Sequence, residues 1–383
     1  MSGREAERGL RLERRESKHV LPFANEERRR SLWSGAEQRA TTTLSQACGT
    51  LGIVSEIELW WFDGNDVNRC TVAELPALQQ RTEGFCWVDI PSWSATAEQL
   101  LSEQFGFHPM AVRACRERNH VPRIHVYSDH LFVVVHAPEI GARGHVHYLE
   151  LDQFIGQRFL VSVHGPLNPA VDPTAARREV DAVIERVESG RLRPASPFAL
   201  AYAIVSTMVR NEAAQIADLA EQVGRLEQRV MAAANTAPED FLNELFTARH
   251  ELLTIRTMAA QGGEIFQRAG ELVEFAPPEE LRFLHDLRSQ YERVERISHS
   301  QLEFLMGVTE FYRARTDTKM AIAAERLAVI AAVTLPVTAI SSVMGMNVIV
   351  NDSTHWTWLI LLLAVMGTMC GILLHWTKRL GWW

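Results

Sequence analysis

From Leu327 to Met346 the chain runs twenty residues without a charged side chain, LAVIAAVTLPVTAISSVMGM. At about 1.5 Å per helical residue this stretch spans roughly 30 Å, the thickness of a bilayer's hydrocarbon core. A second uncharged run, Trp356–Leu374, follows after a short polar break. Everything before Leu327 is charged and periodic. The pattern predicts a large cytosolic body that ends in a helical membrane hairpin.

The 383 residues leave room for two or three domains. A net charge of −8 supplies no basic surface for nucleic acid, so none is expected as a partner. Met1–Glu16 is charged throughout and lacks the apolar centre of a signal peptide. The five cysteines are scattered without a CxxC pair, which argues against a disulfide framework or zinc finger and fits a reducing compartment.

Residues 1–48 mix Arg and Glu densely and read as a disordered or loosely helical arm. Short β-rich runs then predict strands at Ile57–Phe62, Phe85–Ile90, Arg123–Tyr127, Leu131–His136, Val146–Phe154 and Arg158–His164. Ser128-Asp129 suits a tight turn. Ala97–Phe105 and Pro109–Arg118 are helical in character, with Pro109 in a first turn. These elements form a cytosolic α/β domain over 49–196. His145 and His147 share a strand face, but no third ligand lies at a recognisable spacing, so they read as solvated histidines.

After Pro197 apolar residues recur at helical spacing. Phe198–Met231 and a helix from Phe241 to Phe266 or a little beyond predict an antiparallel pair over 197–278, joined by a turn at Ala232–Glu239 and broken at Pro277-Pro278. From Glu279 no proline appears until Pro336, inside the apolar span, where proline is tolerated. Leu281–Met346 can therefore be one helix of about 100 Å. Its expected buried stripe is Leu284, Leu287, Tyr291, Val294, Ile297, Leu302, Leu305 and Val308. The division that follows is a stalk at 279–326, a first span at 327–347, a loop at 348–355, a second span at 356–376 and a basic tail at 377–383.

Charge orients the spans. Arg313, Arg315, Lys319 and Arg326 precede the first span, Lys378 and Arg379 follow the second, and the loop between has Asp352 as its one acid. Both ends are therefore expected in the cytoplasm. The second span is lipophilic, with Gly367 and Gly371 in a small-xxx-small spacing. The first carries hydroxyls: Thr338 and Ser342 share a face with Leu335, Ala331 and Leu327. Such hydroxyls can bond backbone carbonyls inside a helix pair, or touch a hydrated ion in a pore. One hairpin encloses no pore, so transport needs several chains around an axis with first spans inside. There is no P-loop and no charge within either span, so any flux is expected to be passive. Nor is there a nucleophile–base arrangement, so no enzyme and no cofactor is expected.

Gly345-Met346-Asn347 closes the first span, with Pro336-Val337-Thr338 upstream and a basic tail rich in Trp downstream. In the body stand Phe107-His108-Pro109-Met110, Pro122-Arg123, Tyr127–Val134 and Phe159–His164. In these motifs and their order, over about residues 50–383, the chain resembles the CorA family of divalent-cation transporters. The resemblance implies an α+β cytosolic domain of α/β/α type, long helices and a two-helix C-terminal transmembrane hairpin, assembled as a funnel-shaped homopentamer in the inner membrane. Gly345, Met346 and Asn347 would form an outer ring that receives a hydrated divalent cation, most simply Mg2+.

The resemblance also marks departures. Counting back from Asn347, the inner pore positions where the family often has Asn and Met fall on Ala321 and Ala324, while the Leu position is kept as Leu327. The family's acidic outer loop is reduced to Asp352. Asp286 matches one member of a regulatory metal site between subunits, but its partner position reads Arg113-Ala114, so an arginine can replace the metal there. Two alternatives remain beside Mg2+ uptake: a Zn2+, Co2+ or Ni2+ transporter of the zinc-transport branch, which usually has Val in place of Met346, and a membrane-anchored scaffold with a vestigial pore.

Overall fold

Alternate residues of the strands point to opposite faces, and in this chain both faces are apolar. The computed structural model describes residues 57–64, 66–141, 145–166, 168–232, 238–345 and 356–379. The expectations for the arm, for Met346, Asn347 and Asp352, and for the last four residues of the tail lie outside the described residues.

The strands are β1 (Glu58–Asp63), β2 (Asp66–Cys70), β3 (Phe85–Ile90), β4 (Arg123–Val126), β5 (His130–Ile140), β6 (Val146–Gly156) and β7 (Phe159–His164), in one sheet ordered β2-β1-β3-β7-β6-β5-β4. Among the described residues only β3 and β7 pair in parallel. One face, with Leu59, Trp61, Val88, Phe132, Phe154 and Val161, packs against α1 (Leu75–Gln79), α2 (Ala95–Gln99, continued by a π-helical turn at Leu100–Gln104) and α3 (Pro109–Arg116). His108 caps α3 by accepting from the Met110 amide at 3.2 Å, with Pro109 in the first turn, where its missing N–H costs nothing. The other face, with Trp60, Phe62, Trp87, Leu131, Val133 and Leu160, packs against α4 (Pro173–Glu188) and α5 (Pro197–Met231). The layers are thus helix, sheet, helix.

That second core runs on without a break between α5, α6 (Pro238–Leu272) and α7 (Pro278–Gly345) as far as Val308. The 68-residue α7 carries Pro336 inside it and continues from the soluble layers into the apolar span. The last helix, α8 (Trp356–Arg379), packs along α7.

Four features differ from the sequence expectation. β2 was not anticipated, because its sequence DVNRC has no apolar alternation; as an edge strand it is held to β1 by backbone pairing. α4 was not anticipated either, although Asp172 caps it by accepting from the Thr174 amide at 2.9 Å. β5 runs through Pro138 to Ile140, paired in register with β6. Ile297 is 41% exposed rather than buried. Ser298 takes the inward position one residue later and donates its hydroxyl to the Val294 carbonyl at 2.9 Å. The helical period of 3.6 residues moves the stripe from Val294 through 298 to Leu302 and leaves Ile297 at its edge.

Candidate ion pathway and cytosolic control region

α7 contains a stretch long and apolar enough to cross a membrane. Its two sides differ. Val329, Val333, Pro336 and Ile340 lose exposure and fall on one stripe, at i, i+4, i+7 and i+11. Ala321, Ala324, Leu327, Leu335, Thr338 and Ser342 are exposed, and Ala331 is half-buried. At 3.6 residues per turn all of these except Ala321, which lies towards one flank, point roughly opposite to the first stripe. Leu327 and Leu335 are 66% and 67% exposed, so among the described residues little covers that face within one subunit. The Thr338 hydroxyl donates to the Thr334 carbonyl at 2.8 Å. Its proton is thereby committed to the helix, while its oxygen can still accept a bond from water. Gly345 ends α7, directly before the undescribed Met346 and Asn347.

Asp286, lower on α7, is exposed and already engaged. Its Oδ2 accepts from the Tyr202 hydroxyl at 2.7 Å and from Gln290 Nε2 at 2.7 Å. Gln290 Oε1 in turn accepts from the Ser206 hydroxyl at 2.9 Å. Burial, and then the negative charge of Asp286, hold the Tyr202 phenol above its ordinary range. The carboxylate therefore ties α7 to α5. Arg113, on α3, pairs instead with Glu117 at 2.8 Å one turn on, and both are exposed. A single subunit does not bring Arg113 and Asp286 together. Among the described residues, no group of three or more His, Cys, Asp or Glu side chains is arranged to hold a metal. The His145 and His147 rings meet edge to face at 4.6 Å, and His147 Nδ1 is bonded by the Asn168 amide at 3.1 Å.

Sequence reasoning missed a further tie, higher on α7. Arg315 on α7 donates from Nη1 to the Met231 carbonyl at 2.9 Å and also to the carbonyl of Val230. It satisfies backbone acceptors that the end of α5 leaves open. Arg315 entered the sequence argument only as one of the basic residues that set orientation.

The sequence family described as CorA-like Mg2+ transporter protein matches residues 82–379. The chain belongs to this family. Its members transport divalent cations and are not enzymes, and this CorA-family chain is such a transporter. The chain is similar to the "Putative metal ion transporter YfjQ" of Bacillus subtilis, with 22% identity over 309 residues, 80% of this chain and 92% of the relative. It is also similar to the cobalt/magnesium transport protein CorA of Thermotoga maritima, with 20% identity over 302 residues, 77% and 83% of the two chains. The structure of the CorA magnesium transporter from Methanocaldococcus jannaschii superposes with a TM-score of 0.72 at 13% identity, covering 86% of this chain and all of that one. The CorA fold, an α/β soluble domain followed by a long C-terminal helix, is shared.

Proposed function

We propose that this chain forms a homopentamer in the inner membrane and conducts Mg2+ passively along its axis into the cytoplasm. The observation that carries the proposal is the two-sidedness of α7, whose exposed face in the apolar span lies opposite the stripe of Val329, Val333, Pro336 and Ile340 that loses exposure. Five copies of α7 around an axis bury that face against one another and leave α8 towards lipid. Ala321, Ala324, Leu327, Ala331, Leu335, Thr338 and Ser342 then line the path. Mg2+ gives up its water reluctantly, so a path of small, apolar and hydroxyl side chains suits an ion that keeps its shell. Gly345, Met346 and Asn347 close the outer end, where five amide side chains can hold the hydration shell by hydrogen bonds. Asp352 is the acid of the outer loop. Both termini face the cytoplasm, in line with Lys378 and Arg379 in the last turn of α8.

The control region departs from a metal-bridged design. With Asp286 held by Tyr202 and Gln290, its remaining capacity faces outward, and Arg113 of a neighbouring copy supplies the opposite charge. The test is ion flux into proteoliposomes holding the full chain, with Mg2+, Co2+ and Zn2+ offered separately. Mg2+ influx driven by the gradient alone is expected. Influx of Zn2+ with none of Mg2+ contradicts the assignment of the ion, and no influx of any of them contradicts the pore.

A further inference from the structure

Glu150 and Asp152 stand two residues apart on β6 and therefore project from the same face of the sheet. Asp152 is completely buried and Glu150 nearly so. Glu150 holds the loop between α3 and β4. Its Oε2 accepts from the Asn119 amide at 2.7 Å and its Oε1 from the Asn119 side chain. The same side chain donates to the Ala114 carbonyl at 3.0 Å, at the end of α3, and the Asn119 carbonyl is bonded by His136 Nε2 at 2.8 Å. Asp152 has no such partners: among the described residues neither of its oxygens has a hydrogen bond of ordinary geometry. Its polar neighbours are Glu150 and the buried thiol of Cys115 on α3.

Two ionised carboxylates on one buried strand face repel each other and lack water. Burial, and then the charge of Glu150, push the Asp152 carboxyl well above the usual range, and burial also raises Glu150 against the pull of its Asn119 bonds. The surrounding charges do not cancel the pair. Arg118 in the loop and Arg123 on β4 lower the two acids only in part. His136, directly across β5 from Glu150, is pushed down by burial, further by His120 and Arg123, and so stays neutral. Burial pushes the Cys115 thiol well up, so it too is uncharged. On β7, His164 pairs in register with Leu151 and belongs to the other face of the sheet, with Asp89 and Arg177.

We propose that Glu150 and Asp152 form a proton-operated latch on the α3–β4 loop. With one proton on the pair, Glu150 keeps its charge for Asn119, and Asp152 lies neutral beneath α3. Loss of that proton puts two negative charges on the same buried face, and the strain is relieved by release of Asn119 and the end of α3 into water. Rising pH thus loosens the segment that presents Arg113, Arg116 and Val121 at the surface.

Hydrogen exchange of the full chain in detergent, followed on peptides spanning 117–122 and corrected for the intrinsic rate, tests the latch. Wild-type protection should fall with rising pH, by about tenfold per unit above the midpoint for a one-proton opening. Asp152→Asn should hold protection level across the same range. Should that variant fail to fold, Glu150→Gln, which keeps an acceptor for Asn119 and removes the second charge while Asp152 stays buried, should shift the fall in protection to higher pH. A level wild-type profile, or a profile in the variant measured that coincides with the wild-type one, overturns the proposal.

Discussion

Tyr202 on α5 donates its hydroxyl to Asp286 on α7 across 2.7 Å, linking residues 84 positions apart at the foot of the long helix. The bond gives Asp286 a partner inside its own subunit. Tyr202→Phe keeps the ring and its packing on Phe283 but removes the donor. A loss of about 1 kcal/mol in unfolding free energy is expected, read by chemical denaturation of the solubilised chain. A loss near zero would show that Gln290 alone holds the carboxylate.

Gly262 on α6 lies against the ring of Tyr291, and a Cβ there would sit 2.7 Å from Cε1. Tyr291 is 2% exposed and cannot swing aside. Gly262→Ala should cost about 1–3 kcal/mol through overpacking. Gly224→Ala, on α5 with open space around the new methyl, should be neutral or stabilise by about 0.5–1 kcal/mol. Thermal unfolding of the two variants side by side separates packing from helix propensity.

Glu212 on α5 is fully buried, and neither oxygen has a hydrogen-bond partner among the described residues. Burial first, then the charge of Glu179, raise its carboxyl well above the ordinary range. The folded chain therefore holds a proton there that the unfolded chain releases. The resulting stability is complete below the unfolded pKa of about 4.5 and is lost as pH rises through the folded value. Glu212→Gln should reduce the fall of unfolding free energy with pH by up to about 1.4 kcal/mol per unit in that window. Denaturant titrations at several pH values check this, and parallel curves for the two proteins would contradict it.

Arg315 closes the end of α5 through the carbonyls of Val230 and Met231. Arg315→Ala should cost about 1.5 kcal/mol of local stability. Amide exchange in the last turn of α5 should then run about tenfold faster, with the sheet unchanged. Faster exchange throughout the chain would mean that the arginine supports more than this end.

What could be read ahead of the structure follows from how local each signal is. The apolar span is a property of consecutive residues, and so are the branched runs of β3, β6 and β7 and the helical spacing of α5 to α7. β2 escaped because an edge strand needs a neighbour's backbone and not a hydrophobic face. Ile297 was misplaced because the stripe drifts and the serine beside it can bury its hydroxyl on its own helix. Tyr202 and Asp286, or Glu150 and Asn119, are joined by tertiary contacts between residues far apart in the chain, for which spacing gives no signal. The burial of Asp152 was equally silent, since an acid in a strand reads as a solvent-facing residue until both faces of the sheet are covered. The Gly345-Met346-Asn347 motif was the reverse case, plain in sequence while Met346 and Asn347 lie outside the described residues.

The central claim is that the exposed face of α7 leads to an outer ring at Asn347 through which Mg2+ passes. Mg2+ influx into proteoliposomes of Asn347→Ala, compared with wild-type chain at equal density and equal oligomeric state, tests it most directly. Loss of Mg2+ influx, with the assembled chain intact, is the predicted result. Influx of Mg2+ at the wild-type rate and with wild-type selectivity would contradict it.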